Sequence, residues 1–141
     1  NNASPSYKIC DQCNALPGEE VIGFKDPDGV VTVHSRHCPE AIKLASENGN
    51  SLVSVAFDPD PSRLYPVSIR IVAIDRYHLL RDIIDCFVER QHLSMNKLLT
   101  HTEDEIVECV IDFPVHSVDE LHLTMESIAA IDGVDEVQRI I

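Results

Sequence analysis

The sequence predicts an α+β protein in two modules, on three observations. Cysteine and histidine gather early, as Cys10-x-x-Cys13 and His34-x-x-x-Cys38. A stretch rich in proline and acid, Asp58-Pro-Asp-Pro-Ser-Arg63, then interrupts the chain. Beyond it, apolar residues recur with strand and helix periods in the order β-α-β-β-α-β. The first module, residues 1–57, is expected to be a zinc-finger-like hairpin, helix and strand. Residues 58–65 are expected as linker. Residues 66–141 are expected to form a four-stranded antiparallel sheet with two helices on one face, the ferredoxin-like arrangement.

In the first module, Pro17-Gly18 signals a turn. Glu20 to Lys25 reads as a strand, Asp26-Pro-Asp-Gly29 as a hairpin loop and Val30 to His34 as the returning strand. Cys38 precedes Pro39, which suits the first position of a helix because its missing N–H has no partner there in any case. Ile42 and Ala45 are expected on the inner face of that helix, flanked by Ala41 and Leu44, with Gly49 as its stop. Leu52 to Phe57 is expected as a third strand, with Val53, Val55 and Phe57 on one side.

In the second module, Pro66 to Ile74 alternates, with Val67, Ile69, Ile71 and Ala73 on one face. Asp75 is expected to cap a helix from about Tyr77 to Gln91, whose inner stripe is Leu80, Ile83, Ile84 and Phe87. Leu93 to Thr102 reads as a strand and Glu103-Asp-Glu105 as a solvated turn. Ile106 to Val115 returns, with Val107, Cys109, Ile111 and Phe113 inward. Ser117-x-x-Glu120 is a capping box for a helix lined by Leu121, Met125 and Ile128. Gly133 ends it, and Val134 to Ile140 is a last strand.

Four N and S donors at these spacings suit a tetrahedral zinc ion. The expected structural site is Cys10, Cys13, His34 and Cys38, with His37 as an alternative to His34. Plain buried thiols, and a redox or disulfide pair at Cys10 and Cys13, stand as other readings. A module of this size has little core of its own, and a metal staple would compensate.

Composition narrows the function. The net charge is −13. Residues 1–65 hold 5 Lys/Arg against 9 Asp/Glu, and residues 66–141 hold 6 against 15. Such acidity repels phosphate backbones, so any RNA contact is expected from a local patch in the first module. No apolar run reaches the roughly 18 residues of a membrane span, and no membrane role is expected. Five cysteines, three of them clustered near histidine, fit a reducing, cytoplasmic setting. The chain does not begin with Met and reads as a piece of a longer protein. No paired carboxylates, Ser/His/Asp set or phosphate-binding glycine loop is evident, so no catalytic residue is expected. Cys86 and Cys109 read as packed residues.

The run from Cys13 through Pro17-Gly18-Glu19-Glu20-Val21-Ile22-Gly23-Phe24, followed by Gly29-Val-Val-Thr-Val33-His34 and Cys38-Pro39, resembles the cysteine-rich zinc-finger segment of RelA/SpoT-type alarmone synthetase/hydrolases. Residues 66–141, including Asp75-Arg76 and Leu79-Leu-Arg-Asp-Ile83, resemble the ACT domain that ends those proteins. The resemblance implies a non-catalytic regulatory tail. Its parent would be a GTP pyrophosphokinase and (p)ppGpp hydrolase of the stringent response, and the tail would sense tRNA on the ribosome and act on its own catalytic domains. Ribosome or RNA contact is then expected through Lys8, Lys25, Arg36 and His37. The acidic ACT module is expected to serve protein contact or homodimerisation. The alternative is an amino-acid sensor using the turn Asp75, Arg76, Tyr77, His78 and Leu79. There His78 stands where amino-acid-binding ACT domains often carry glycine, and its ring is expected to crowd a ligand.

Overall fold

The computed structural model describes residues 7–58 and 60–141. The chain divides into two compact units, one reaching Asp60 and the other running from Pro61 to Ile140.

The first unit is a four-stranded sheet in the order β1-β3-β2-β4, with one α-helix. Strands β2 (Val21–Lys25) and β3 (Val31–Ser35) form the expected antiparallel hairpin, Ile22 opposite His34 and Gly23 opposite Val33. The hairpin loop closes through Gly29, whose φ of 88° only glycine adopts freely, with its N–H donated to the Asp26 carbonyl at 2.9 Å. A short strand the periodicity did not indicate, β1 (Tyr7–Ile9), runs parallel to β3. Strand β4 (Leu52–Val53) is shorter than expected. The alternation through Phe57 nonetheless holds, since Val53, Val55 and Phe57 are half-buried and their neighbours exposed. Val55 lies over Gly23 instead of continuing the ladder.

Helix α1 (Pro39–Glu47) starts at Pro39 as expected, but its inner face is corrected. Ala41 is buried and Leu44 half-buried, whereas Ile42 is 61% exposed and Ala45 faces solvent. Cys38, the residue before the helix, is fully buried and sets the rotation; residues three and six positions on follow it inward. The helix ends at Glu47, and Gly49 opens a short 3₁₀ turn (Gly49–Ser51) instead of stopping the helix.

The second unit is an antiparallel sheet, β6-β7-β5-β8, assembled in the order β-α-β-β-α-β. Strand β5 (Tyr65–Ile74) lies at the centre, paired along its whole length with β7 (Ile106–Val115), Ile69 opposite Ile111. Tyr65, expected in the linker, is the first residue of β5 and is buried. Alternate residues of both strands face inward: Val67, Ile69, Ile71 and Ala73 against Val107, Cys109, Ile111 and Phe113, all buried. The outer face carries polar pairs. Arg70 bridges Glu108 and Glu136 across three strands, and the Ser68 hydroxyl donates to Asp112 at 2.6 Å.

Helix α2 (Leu79–Asp85) begins later than expected: His78, at a left-handed φ of 65°, holds the position before it, and no side chain caps this end, so Asp75 is not its cap. Its continuation, Cys86–Arg90, widens to a π turn closed by the Gln91 N–H on the Cys86 carbonyl at 3.1 Å. The wider turn brings the adjacent Cys86 and Phe87 both inward, while Leu79 rather than Leu80 supplies the first buried contact. Leu93 is tied back to the Phe87 carbonyl, so strand β6 (Lys97–Glu103) starts four residues later than expected. The β6–β7 hairpin turns on Asp104 and Glu105, both at positive φ, as a tight two-residue hairpin requires.

Helix α3 (Val118–Ala129) starts at the capping box. Ser117 Oγ accepts from the Glu120 N–H at 3.3 Å, and Glu120 Oε1 accepts from the His116 N–H at 2.8 Å. Its carboxylate also meets His116 Nδ1 at 3.1 Å, so His116 is tied to the cap and is not a free surface residue. Gly133 follows, where a Cβ would sit 3.1 Å from the Ile74 carbonyl, and strand β8 (Val134–Arg139) pairs with β5.

Gly23 is the tightest point of the first sheet. An added Cβ would collide with Val55 Cγ2 and lie 3.0 and 3.1 Å from Val31 and Val53. Gly23→Ala is expected to destabilise the first unit by about 1–3 kcal/mol, the usual cost of overpacking. Urea unfolding followed by circular dichroism checks it; an unchanged midpoint would mean that the sheet yields there freely.

Candidate metal centre

Two chain reversals build the site. Cys10 follows β1, and its N–H donates to the Val33 carbonyl at 2.9 Å. The Cys10–Cys13 knuckle closes when the Asn14 N–H reaches back to the Cys10 carbonyl at 2.9 Å, with Asn14 at a left-handed φ of 49°, a conformation asparagine tolerates well. On the other side, His34 lies on β3 and Cys38 immediately before α1. The Cys38 N–H donates to the Ser35 carbonyl at 3.0 Å, which folds the strand end back over the first knuckle.

The structure thereby brings Cys10, Cys13, His34 and Cys38 together, with their ligand atoms all within 4.8 Å of one another. All four residues are buried, between 0% and 6% exposed. His37 is exposed and takes no part in the cluster. Sulfurs on a common zinc ion at about 2.3 Å stand about 3.8 Å apart in a tetrahedron, a spacing this cluster can reach with small side-chain adjustments.

The electrostatics favour a cation. Burial pushes the Cys13 thiol up to about 12; the neighbouring Cys10 and Cys38 add to the rise, and the Ser35 N–H, 3.2 Å from Cys13 Sγ, opposes it. Burial likewise lowers the His34 pKa, with Glu40 acting in the opposite sense. Both ring nitrogens of His34 are buried and lack any hydrogen-bond partner. A buried imidazole with two idle nitrogens is costly. Lacking a protein partner and facing three thiols, it has the chemistry of a metal ligand, and the four residues fit such an ion.

Sequence reasoning did not single out two supports. Ser35 supplies an N–H to Cys13, and Phe24 presents its ring edge-on to His34 at 5.6 Å. Phe24 carried a signal, since it sits two positions from Ile22, which pairs with His34, on the same face of β2. A backbone donor such as Ser35 leaves none.

The expected basic contacts are not one patch. Lys8 and Lys25, both exposed, line a hollow of about 500 Å3 that Cys10 and His34 also line. Arg36 belongs to another hollow and pairs with Glu20 at 3.5 Å, both side chains mostly exposed. His37, beside Arg36 in the chain, is exposed.

In the second unit the turn after β5 is tightly tied. Arg76 donates to the Asp132 carbonyl at 2.7 Å, to the Tyr77 carbonyl at 2.8 Å and to Asp82 at 2.8 Å, and this last bond holds the Asp82 carboxyl below its usual pKa. Tyr77 is 83% exposed and stacks on His78 at 3.7 Å. A hollow of about 280 Å3 opens beside this turn, walled by Asp75, His78, Leu79, Thr100 and Val107 among others.

Known proteins share both units. Residues 3–58 match the RelA/SpoT RIS domain family and residues 61–139 the ACT domain family. A bifunctional (p)ppGpp synthase/hydrolase RelA from Mycobacterium tuberculosis is 25% identical over 133 residues, covering 94% of this chain and 18% of that protein. A GTP pyrophosphokinase from Streptomyces antibioticus is also 25% identical over 133 residues and is covered over 16% of its length. One from Escherichia coli is 34% identical over 77 residues, 55% of this chain and 10% of that protein. The chain thus spans less than a fifth of these relatives' length. The crystal structure of the ACT domain from the GTP pyrophosphokinase of Chlorobium tepidum superposes on 55% of the chain and 99% of that domain, with TM-score 0.50 and 22% identity, a likeness of fold. What is matched is the regulatory RIS and ACT part and not the catalytic part. The chain belongs to the ACT domain family, and with its preceding RIS domain it is a regulatory region of the RelA/SpoT type.

Proposed function

We propose that the chain is the regulatory tail of a (p)ppGpp synthetase/hydrolase of the stringent response, folded in its first domain around one structural zinc ion. The zinc module runs to about Phe57 and the ACT module begins with β5 at Tyr65, the residues between them joining the two. The observation that carries this is the buried Cys₃His cluster inside the RIS-matched residues. A closed set of three thiolates and one imidazole is the donor set of structural zinc sites, with no position left for a reacting water. Its part is to fix the fold of the unit that contacts the ribosome or its tRNA, through Lys8 and Lys25 at one hollow and through Arg36 and His37 apart from it. The ACT unit contacts the parent's catalytic domains or a second copy of itself. No helix among the described residues is long and apolar enough to cross a membrane.

Elemental analysis tests the metal. The purified chain is expected to hold about one zinc, and Cys13→Ser to lose it together with the fold of the first unit, because binding energy in such sites is folding energy. Retention of zinc by Cys13→Ser would rule out this ligand set.

Co-sedimentation of the full-length protein with ribosomes tests the surface. Lys8→Glu with Lys25→Glu is expected to weaken binding and to lower its salt slope by about one for each phosphate no longer neutralised. Arg36→Glu, at a residue that pairs with Glu20 at 3.5 Å on the surface, is expected to matter less. Unchanged binding in both variants would remove the RNA contact from this unit.

One observation favours a second reading, an amino-acid sensor: the hollow of about 280 Å3 beside the Asp75–Leu79 turn. Titration calorimetry with branched-chain amino acids at millimolar concentration decides it. Heat of binding that His78→Gly strengthens would support the sensor, and no heat in either protein would dismiss it.

A further inference from the structure

The cluster is not equally closed on all sides. Cys13 and Cys38 retain 1% and 0% of their exposure, whereas Cys10 retains 6%. Cys10 and His34 also line the open hollow of about 500 Å3 bounded by residues of β1, β2, β3 and α1, and neither Cys13 nor Cys38 does. The rest of that wall is largely polar, with Lys8, Thr32, Asn48 and Ser51 among its members, so a small water-like molecule can enter it. The sulfurs of Cys13 and Cys38 lie within 4.8 Å of Cys10 Sγ, close enough to act as a second thiol.

We propose that Cys10 is a modification site: hydrogen peroxide oxidises it first, and the disulfide that follows expels the metal. This rests on the zinc reading above. In the first step the Cys10 thiolate attacks one peroxide oxygen. An S–O bond forms, the O–O bond breaks, and hydroxide leaves to become water. In the second, the thiolate of Cys13 or Cys38 attacks the Cys10 sulfur. An S–S bond forms, the S–O bond breaks, and a second hydroxide leaves as water. The two sulfurs together lose two electrons and the peroxide gains them. One thiolate and His34, half of the four donors, would then be left to hold the ion, too few for a closed structural site. The least enclosed thiolate of the set, lining an open hollow and standing beside a resolving thiol, is where a peroxide would react first.

The two remaining cysteines provide an internal comparison. Cys86 is buried in the second unit. Cys109 lines the smaller hollow but is itself fully buried, and it is not one of the grouped donors.

The test is a titration of the zinc-loaded chain with hydrogen peroxide. Released zinc is read with a chromogenic chelator, and the thiols are trapped at each step with a sulfenate-specific reagent and an alkylating reagent and assigned by peptide mass. About one zinc is expected per disulfide formed. Cys10 is expected in the sulfenate adduct and in every early disulfide, with Cys86 and Cys109 still reduced. First oxidation at any other cysteine, zinc retained after the disulfide has formed, or no reaction at all would overturn the proposal. A chain purified without zinc would defeat the metal reading instead, and the order of cysteine oxidation would still decide whether Cys10 is the first to react.

Discussion

The convergence of three thiols and one imidazole is the constraint on which the first unit depends. Its buried cluster consists of Cys10, Cys13, Ala15, Phe24, Val33, Cys38 and Ala41, so three of the four donors are themselves core residues. Leu16 and Val31 are buried as well, and Ile9, Val21, Ile22, Leu44, Val55 and Phe57 are partly buried against the cluster. A core of this size leaves a unit of about 50 residues only marginally stable. The polar burden is also concentrated there, in a His34 ring with no protein partner and a Cys13 thiol made reluctant to ionise by desolvation. One cation would answer both difficulties at once, because it supplies an acceptor for the imidazole lone pair and a counter-charge for the sulfurs. The second unit has the opposite economy. Its core is aliphatic and aromatic, with Phe87 edge-on to Phe113 at 4.8 Å, and its two cysteines are buried among these residues.

Much of this was legible in the sequence, and the reasons differ by element. Strands β5 and β7 were plain because one face is buried and the other solvated, which forces strict alternation over ten residues. The start of α3 was plain because a capping box is a local device whose partners are close in the chain. The four clustered donors were plain because their spacing reflects two knuckles that each close locally, at Asn14 on Cys10 and at Cys38 on Ser35.

What was not legible depended on distant partners. Ala41, Ile42, Leu44 and Ala45 cover two adjoining faces of α1, so periodicity could not choose between them; burial of Cys38 made the choice. Strand β1 is three residues long and exists only because β3 runs beside it. The π turn at Cys86–Arg90 adds a residue to one turn of an otherwise regular stripe, which a 3.6-residue reading assigns to the wrong side. The separation of Lys8 and Lys25 from Arg36 had the same origin, since only the assembled sheet shows which hollow each side chain lines.

Helix α1 carries a consequence of its own. It has nine residues, no side-chain hydrogen bond at its N-cap, and one fully buried residue within its span. A helix of that length does not persist alone in water. Cys38, fully buried just ahead of its first turn, ties its start to the rest of the unit. With zinc on the cluster, the ion's presence and the helix's existence become a single variable. Through the 3₁₀ turn that leads from α1 into β4, the same variable reaches the far edge of the sheet. A local event at four side chains would thus be felt along a whole flank of the domain.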